Sequence, residues 1–138
     1  MQFAQIRDRV DAGAVTAGPI DLSPFPGMWV NSNPDTNGIA RLVASESGGR
    51  LSLRVYGIGP NGLIDWGAAE ARVFAGGPSS RTGAGFTCVY DFGFAETRLE
   101  GMLAKGLLVL AQFHMFKDDS GRADHFVREY FALTHGRY

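Results

Sequence analysis

The sequence predicts an all-β fold: an antiparallel, up-and-down closed barrel of about eight strands carrying a short N-terminal helix. Three observations predict it. Nineteen glycines punctuate short runs rich in Val, Leu, Phe and Tyr, which is the spacing of hairpins. After the N-terminal segment no helical period is long enough for a βαβ crossover, so consecutive strands should be antiparallel neighbours. A meander of about eight strands either exposes two edges or closes, and closure at about that number leaves room for one small ligand.

The elements follow in chain order. From Gln2 to Ala12, Phe3, Ile6 and Val10 recur at helical spacing among Arg7, Asp8, Arg9 and Asp11, the pattern of a short amphipathic helix that ends before Gly13. A Pro-rich connector runs from Gly18 to Pro26. The chain thus divides into residues 1–26, helix and connector, and a barrel domain over 27–138. Strands are expected near Met28–Asn31, Gly38–Glu46, Leu51–Ile58, Asp65–Phe74, Gly85–Tyr90, Ala95–Met102, Leu107–Lys117 and Asp124–Thr134. Gly48-Gly49, Pro60-Asn61, Phe92-Gly93, Lys105-Gly106 and Asp119-Ser120-Gly121 supply the residues that reversals need.

Side chains alternate across a strand, so one unambiguous strand and the turn lengths assign the rest. Glu96, Arg98 and Glu100 share one face of the sixth strand and belong outside. A two-residue turn at Lys105-Gly106 then puts Leu108, Leu110, Gln112 and His114 inside. A three-residue loop at Asp119–Gly121 carries the inner face on to Asp124, Phe126, Arg128 and Tyr130, with Glu129 facing away. Working backwards, Phe86, Cys88 and Tyr90, then Gly67, Ala69 and Ala71, then Leu51, Leu53, Val55 and Gly57 face the lumen. The outer face of the last two strands is left with Val109, Phe113, Val127, Phe131 and Leu133. It is too apolar to stay in water, so a homodimer through it, or cover by the N-terminal helix, is expected.

Composition narrows the function classes. Thirteen basic and fourteen acidic side chains, with no run of either sign, lack the footprint of a nucleic-acid or anionic-membrane binder. No apolar segment approaches the ~20 residues that cross a bilayer. The lone Cys88 excludes an internal disulfide framework, and MQFAQIRDRVDAGAV carries charges where an export signal would be apolar, so a cytoplasmic protein is expected.

Gly27-Met28-Trp29 on the first strand and Arg128 on the last make the chain resemble the calycin superfamily, in which a G-x-W element and a late arginine close the barrel floor. Arg128-Glu129-Tyr130 is similar to the R-x-Y element with which fatty-acid-binding proteins hold a carboxylate. The resemblance implies a lipocalin-like or fatty-acid-binding-protein-like barrel with Trp29 and Arg128 as its closure. WVNSNPDTNGIAR and VYDFGFAE also resemble segments of a group of small uncharacterised bacterial proteins.

The expected site is therefore the lumen, where Arg128, Tyr130, His114, Gln112 and Tyr90, with Phe86 and Phe126 as apolar walls, would orient a largely apolar molecule through an anionic or carbonyl oxygen. An alternative is a cofactor-independent cyclase, isomerase or lyase acting on a polyketide-like substrate, with His114 moving a proton and Tyr90 or Arg128 steadying an oxyanion. A third is an interaction module using the apolar outer face. His125 and His135 read as surface residues, and no cofactor and no metal set is expected. Asn31, Asn33, Asp35 and Asn37 are expected to bond their own turn, and Cys88 to be a small buried side chain.

Overall fold

The computed structural model describes residues 19–134; the expected helix at Gln2–Ala12 and His135 lie outside them. Eight strands run as β1 Gly27–Asn31, β2 Ile39–Ser47, β3 Arg50–Gly59, β4 Gly62–Ala75, β5 Gly83–Asp91, β6 Ala95–Ala104, β7 Leu107–Phe116 and β8 His125–Thr134. Each pairs antiparallel with the next, and β1 pairs with β8, so the barrel closes. Such a barrel is compatible with a calycin-like fold. Among the described residues no helix is long and apolar enough to cross a membrane.

Tight turns set most of the register. Gly48 and Gly49 both have positive φ, at 59° and 80°, and Lys105 and Gly106 repeat the pattern at 53° and 81°, matching the right-handed twist of the strands they join. The inner rows read from these turns are the observed ones: Leu51, Leu53 and Val55 on β3, Phe86, Cys88 and Tyr90 on β5, Thr97 and Leu99 on β6, and Leu108, Leu110 and Gln112 on β7 are all buried.

β8 departs from that scheme. His114 pairs with His125 and Gln112 with Val127, so Val127, Glu129, Phe131 and Leu133 face inward and Phe126, Arg128 and Tyr130 face out. Gly121 does adopt the left-handed conformation, at φ 77°, but the connection spans the whole run between Phe116 and His125. Its backbone bonds to its own side chains: the Ser120 amide donates to Asp118 at 3.3 Å and the Phe116 amide to Asp124 Oδ1 at 2.9 Å. The register is displaced by one residue, and one residue exchanges the two faces of a strand.

The two ends of the barrel differ. At one end the connector folds beneath the strands, held by the Asp21–Thr82 bridge. It inserts Phe25, which meets Phe86 edge-on at 5.9 Å. Trp29, 3% exposed, donates its indole N–H to the Phe25 carbonyl at 2.9 Å. Glycine is required around these rings: a Cβ at Gly83 would lie 2.5 Å from Phe25, and one at Gly101 2.4 Å from Phe86. Leu42, Leu53, Leu99, Leu110 and Phe131 fill the lumen above this floor, all fully buried. The expected Trp29–Arg128 closure is thus corrected: Phe25 closes the floor with Trp29, and Arg128 lies on the outer wall.

Candidate functional site

The opposite end stays open. The β1–β2 loop, the β3–β4 hairpin and the facing ends of β7 and β8 surround a cleft of about 530 Å³, within the ~300–1,000 Å³ usual for small-molecule sites. The lumen is therefore packed below and hollow above.

Two backbone irregularities build the cleft. Arg54 pairs with Ala68 but Tyr56 with Asp65, so Trp66 and Gly67 together oppose Val55 in a bulge. Gly67 takes φ 88°; its amide donates to Asp65 Oδ1 at 2.8 Å, and Arg54 grips the same carboxylate through its Nε and Nη2 atoms at 3.0 and 2.7 Å. The Arg54 guanidinium and the Gly67 amide hold Asp65 below its ordinary carboxylate range. The bulge turns Trp66 over the cleft, and the bare Gly57 makes room: a Cβ there would sit 2.7 Å from the indole nitrogen. The indole also meets Tyr90 and Phe92 edge-on, at 5.5 and 5.0 Å. Among the described residues its N–H has no hydrogen-bond partner. The second irregularity is the β8 register, which delivers Glu129.

Glu129 is the hub of the polar wall. Its Oε2 accepts from Thr36 Oγ1 at 2.7 Å and its Oε1 from Gln112 Nε2 at 3.1 Å, tying the β1–β2 loop to β7 and β8. The loop is shaped by Asn31, which donates to the Ile39 carbonyl at 2.9 Å and accepts from the Asn33 amide at 2.8 Å, and by Asn33, which accepts from the Asp35 amide at 3.0 Å. Asn31 and Asn33 thus bond the turn, and Asn33, Asp35 and Asn37 line the cleft.

His114 lines the cleft next to this wall. Its Nδ1 lies 2.9 Å from Thr97 Oγ1, which leaves Nε2 as the nitrogen for a ligand. If Thr97 donates, Nε2 carries the proton and is a donor; if Thr97 accepts from Nδ1–H, Nε2 is a free base. The His125 ring, exposed at the rim, lies 5.0 Å away. Burial, then the charge of His125, lowers the His114 pKa below its ordinary 6.5, so the ring is neutral at pH 7.

That shift has a measurable consequence. Below pH 6.5 the unfolded chain takes up a proton at His114 before the folded protein does, so this group's contribution is present above 6.5 and is lost as pH falls through the folded value. His114→Asn is expected to flatten the loss of stability between about pH 7 and 5 relative to wild type, measured by urea unfolding across that range; equal slopes would show that His114 is not buried as described.

The remaining expected site residues are dispersed. Tyr90 is buried, and its hydroxyl donates to the Gly67 carbonyl at 2.8 Å, with the Leu53 carbonyl at 3.3 Å; it braces the bulge, and burial raises its pKa far above the ordinary range. Phe86 belongs to the floor rather than to a ligand wall. Phe126, 67% exposed, and Tyr130, 44% exposed, lie outside, and Arg128 borders an outer groove with Thr87, Glu100 and Val109. Of the expected set, only His114 and Gln112 meet in the cleft. Burial pushes the Cys88 thiol up to about 11, which suits a small core side chain rather than a nucleophile. Among the described residues no group of three or more His, Cys, Asp or Glu could hold a metal ion.

No family model, no curated protein and no solved structure matches the chain.

Proposed function

We propose that the protein is a small-molecule-binding β-barrel whose ligand sits in the open half of the lumen, its apolar body against Trp66, Phe116 and Val127. One observation carries this reading: the barrel is packed solid below but ends in a cleft of about 530 Å³ that joins apolar walls to convergent polar groups. The donors for a carbonyl oxygen are the unpartnered Trp66 indole N–H and, in the tautomer in which Thr97 donates to Nδ1, His114 Nε2. The anionic form of the ligand loses its support, because Arg128 and Tyr130, which would have held it, face outward. A closed antiparallel barrel of eight strands is compatible with ligand binding in its lumen.

The bond between Thr97 and His114 favours a second reading, a cofactor-independent cyclase, isomerase or lyase. A neutral imidazole anchored at Nδ1 and open at Nε2 is the arrangement of a general base. Tyr90 takes no part in it, since its proton is committed to the Gly67 carbonyl. Native mass spectrometry of the purified protein tests both: a retained small molecule is expected, lost on Trp66→Ala. Denatured and native masses that agree under every growth condition, with no compound from a broad library shifting cleft resonances, would remove the proposal. For the recovered compound, His114→Gln lowers affinity in a binder but abolishes turnover with affinity kept in an enzyme.

A homodimer through the outer face of β7 and β8 is also proposed. Its support is the exposed pair Phe113 and Phe126, stacked at 6.0 Å, although the inward turn of Val127, Phe131 and Leu133 makes that face less apolar than the sequence pattern implied.

A further inference from the structure

We infer that the cleft takes a ligand carrying a protonated amine, with Glu129 as its counter-ion; this rests on the binding reading above. The cleft lining includes the carboxylates of Glu129 and Asp35 and neither lysine nor arginine. The ion pairs of the described residues join Arg50 to Glu70, Arg54 to Asp65, Lys117 to Asp91 and Arg122 to Asp118, so Glu129 has no cationic partner among them. Yet Glu129 is half-buried on the inner face of β8, and a carboxylate withdrawn from water without a counter-charge is costly to keep.

Hydrogen bonds offset only part of that cost. Thr36 and Gln112 each satisfy one lone pair, one on either carboxylate oxygen, and each oxygen has a second. Thr36 and Gln112 also orient the carboxylate, so a charged N–H donor meets a fixed acceptor instead of a freely rotating one. Gln112, 1% exposed, can reach Glu129 only as long as the carboxylate stays inside. The electron-rich face of Trp66 adds attraction for a cation within about 6 Å. Asp35, whose carboxylate bonds to nothing among the described residues, adds negative potential at the rim and steers cations inward. An anionic ligand meets repulsion from both carboxylates. His114 does not reverse this balance near neutral pH, since its ring is neutral there.

The test is a matched set of three probes: 2-(naphthalen-1-yl)ethylamine, the corresponding alcohol, and naphthalen-1-ylacetate. Each is titrated by ¹⁵N–¹H correlation spectroscopy into the intact protein at low salt, with the Trp66 indole as reporter. The amine is expected to bind at least about tenfold more tightly than the alcohol, the scale of a hydrogen bond to a charged group, and the acetate more weakly than either. Glu129→Gln should remove the preference, bringing the amine to the level of the alcohol measured in the same variant. Asp35→Asn, on an exposed loop and so without risk to folding, should weaken the amine by about twofold. Alcohol and amine binding equally, or the acetate binding best, would overturn the amine inference and leave the binding reading intact. If none of the three moved a cleft resonance, both would fall.

Discussion

Trp29→Ala is expected to cost about 3–5 kcal/mol of stability, and Arg128→Ala less than about 0.5 kcal/mol. The contrast follows from the floor. Trp29 is almost fully buried and spans β1 to the connector through its bond to the Phe25 carbonyl, so truncation leaves a cavity and an unsatisfied carbonyl together. Trp29→Phe keeps most of the ring volume and loses the N–H, for a cost of about 1 kcal/mol. Arg128 on the outer wall contributes neither packing nor a bond to the floor. Denaturant unfolding of the three variants separates this arrangement from a tryptophan–arginine plug, in which Trp29→Ala and Arg128→Ala would weaken the protein together.

At the other end, Trp66→Ala is expected to reduce probe affinity at least about tenfold at a modest cost in stability, because the ring is half-exposed and packs chiefly on Tyr90 and Phe92. Gly57→Val should reproduce the loss of binding without touching a ligand contact. Its Cβ would fall within 2.7 Å of the indole nitrogen, so the ring must leave the cleft, and tryptophan emission should shift to the red. Retained affinity in Gly57→Val would place the ligand elsewhere.

The barrel was legible in the sequence because its hairpins declare themselves. Gly48-Gly49 and Lys105-Gly106 can hardly be anything but two-residue turns, and each transmits the inner face correctly to the next strand. The candidate site was legible only in part, because it is built where those rules break. In the Lys117–Asp124 run, side chains of Asp118, Ser120 and Asp124 replace ladder bonds, and counting from the central glycine gives the wrong parity. The pattern of β8 held the correction: Val127, Phe131 and Leu133 alternate with Phe126, Arg128 and Tyr130, and the more apolar row belongs inside. That row carries Glu129 in with it. Trp66 was hidden by a bulge, for which the isolated Gly67 inside a strand was the signal. His114 and Gln112 were found because they stand on β7, one tight turn away from the unambiguous β6.

A barrel closed at the Trp29 end and open at the Trp66 end makes one direct demand on the two indole N–H protons. Hydrogen–deuterium exchange should leave Trp29 protected to the level of global unfolding, since its N–H is buried and bonded to Phe25. Trp66 should exchange rapidly and be the indole resonance that shifts when an amine probe is added. A Trp66 proton as protected as that of Trp29, or a probe that shifts Trp29 instead, would contradict the packed floor and open mouth on which the proposed function stands.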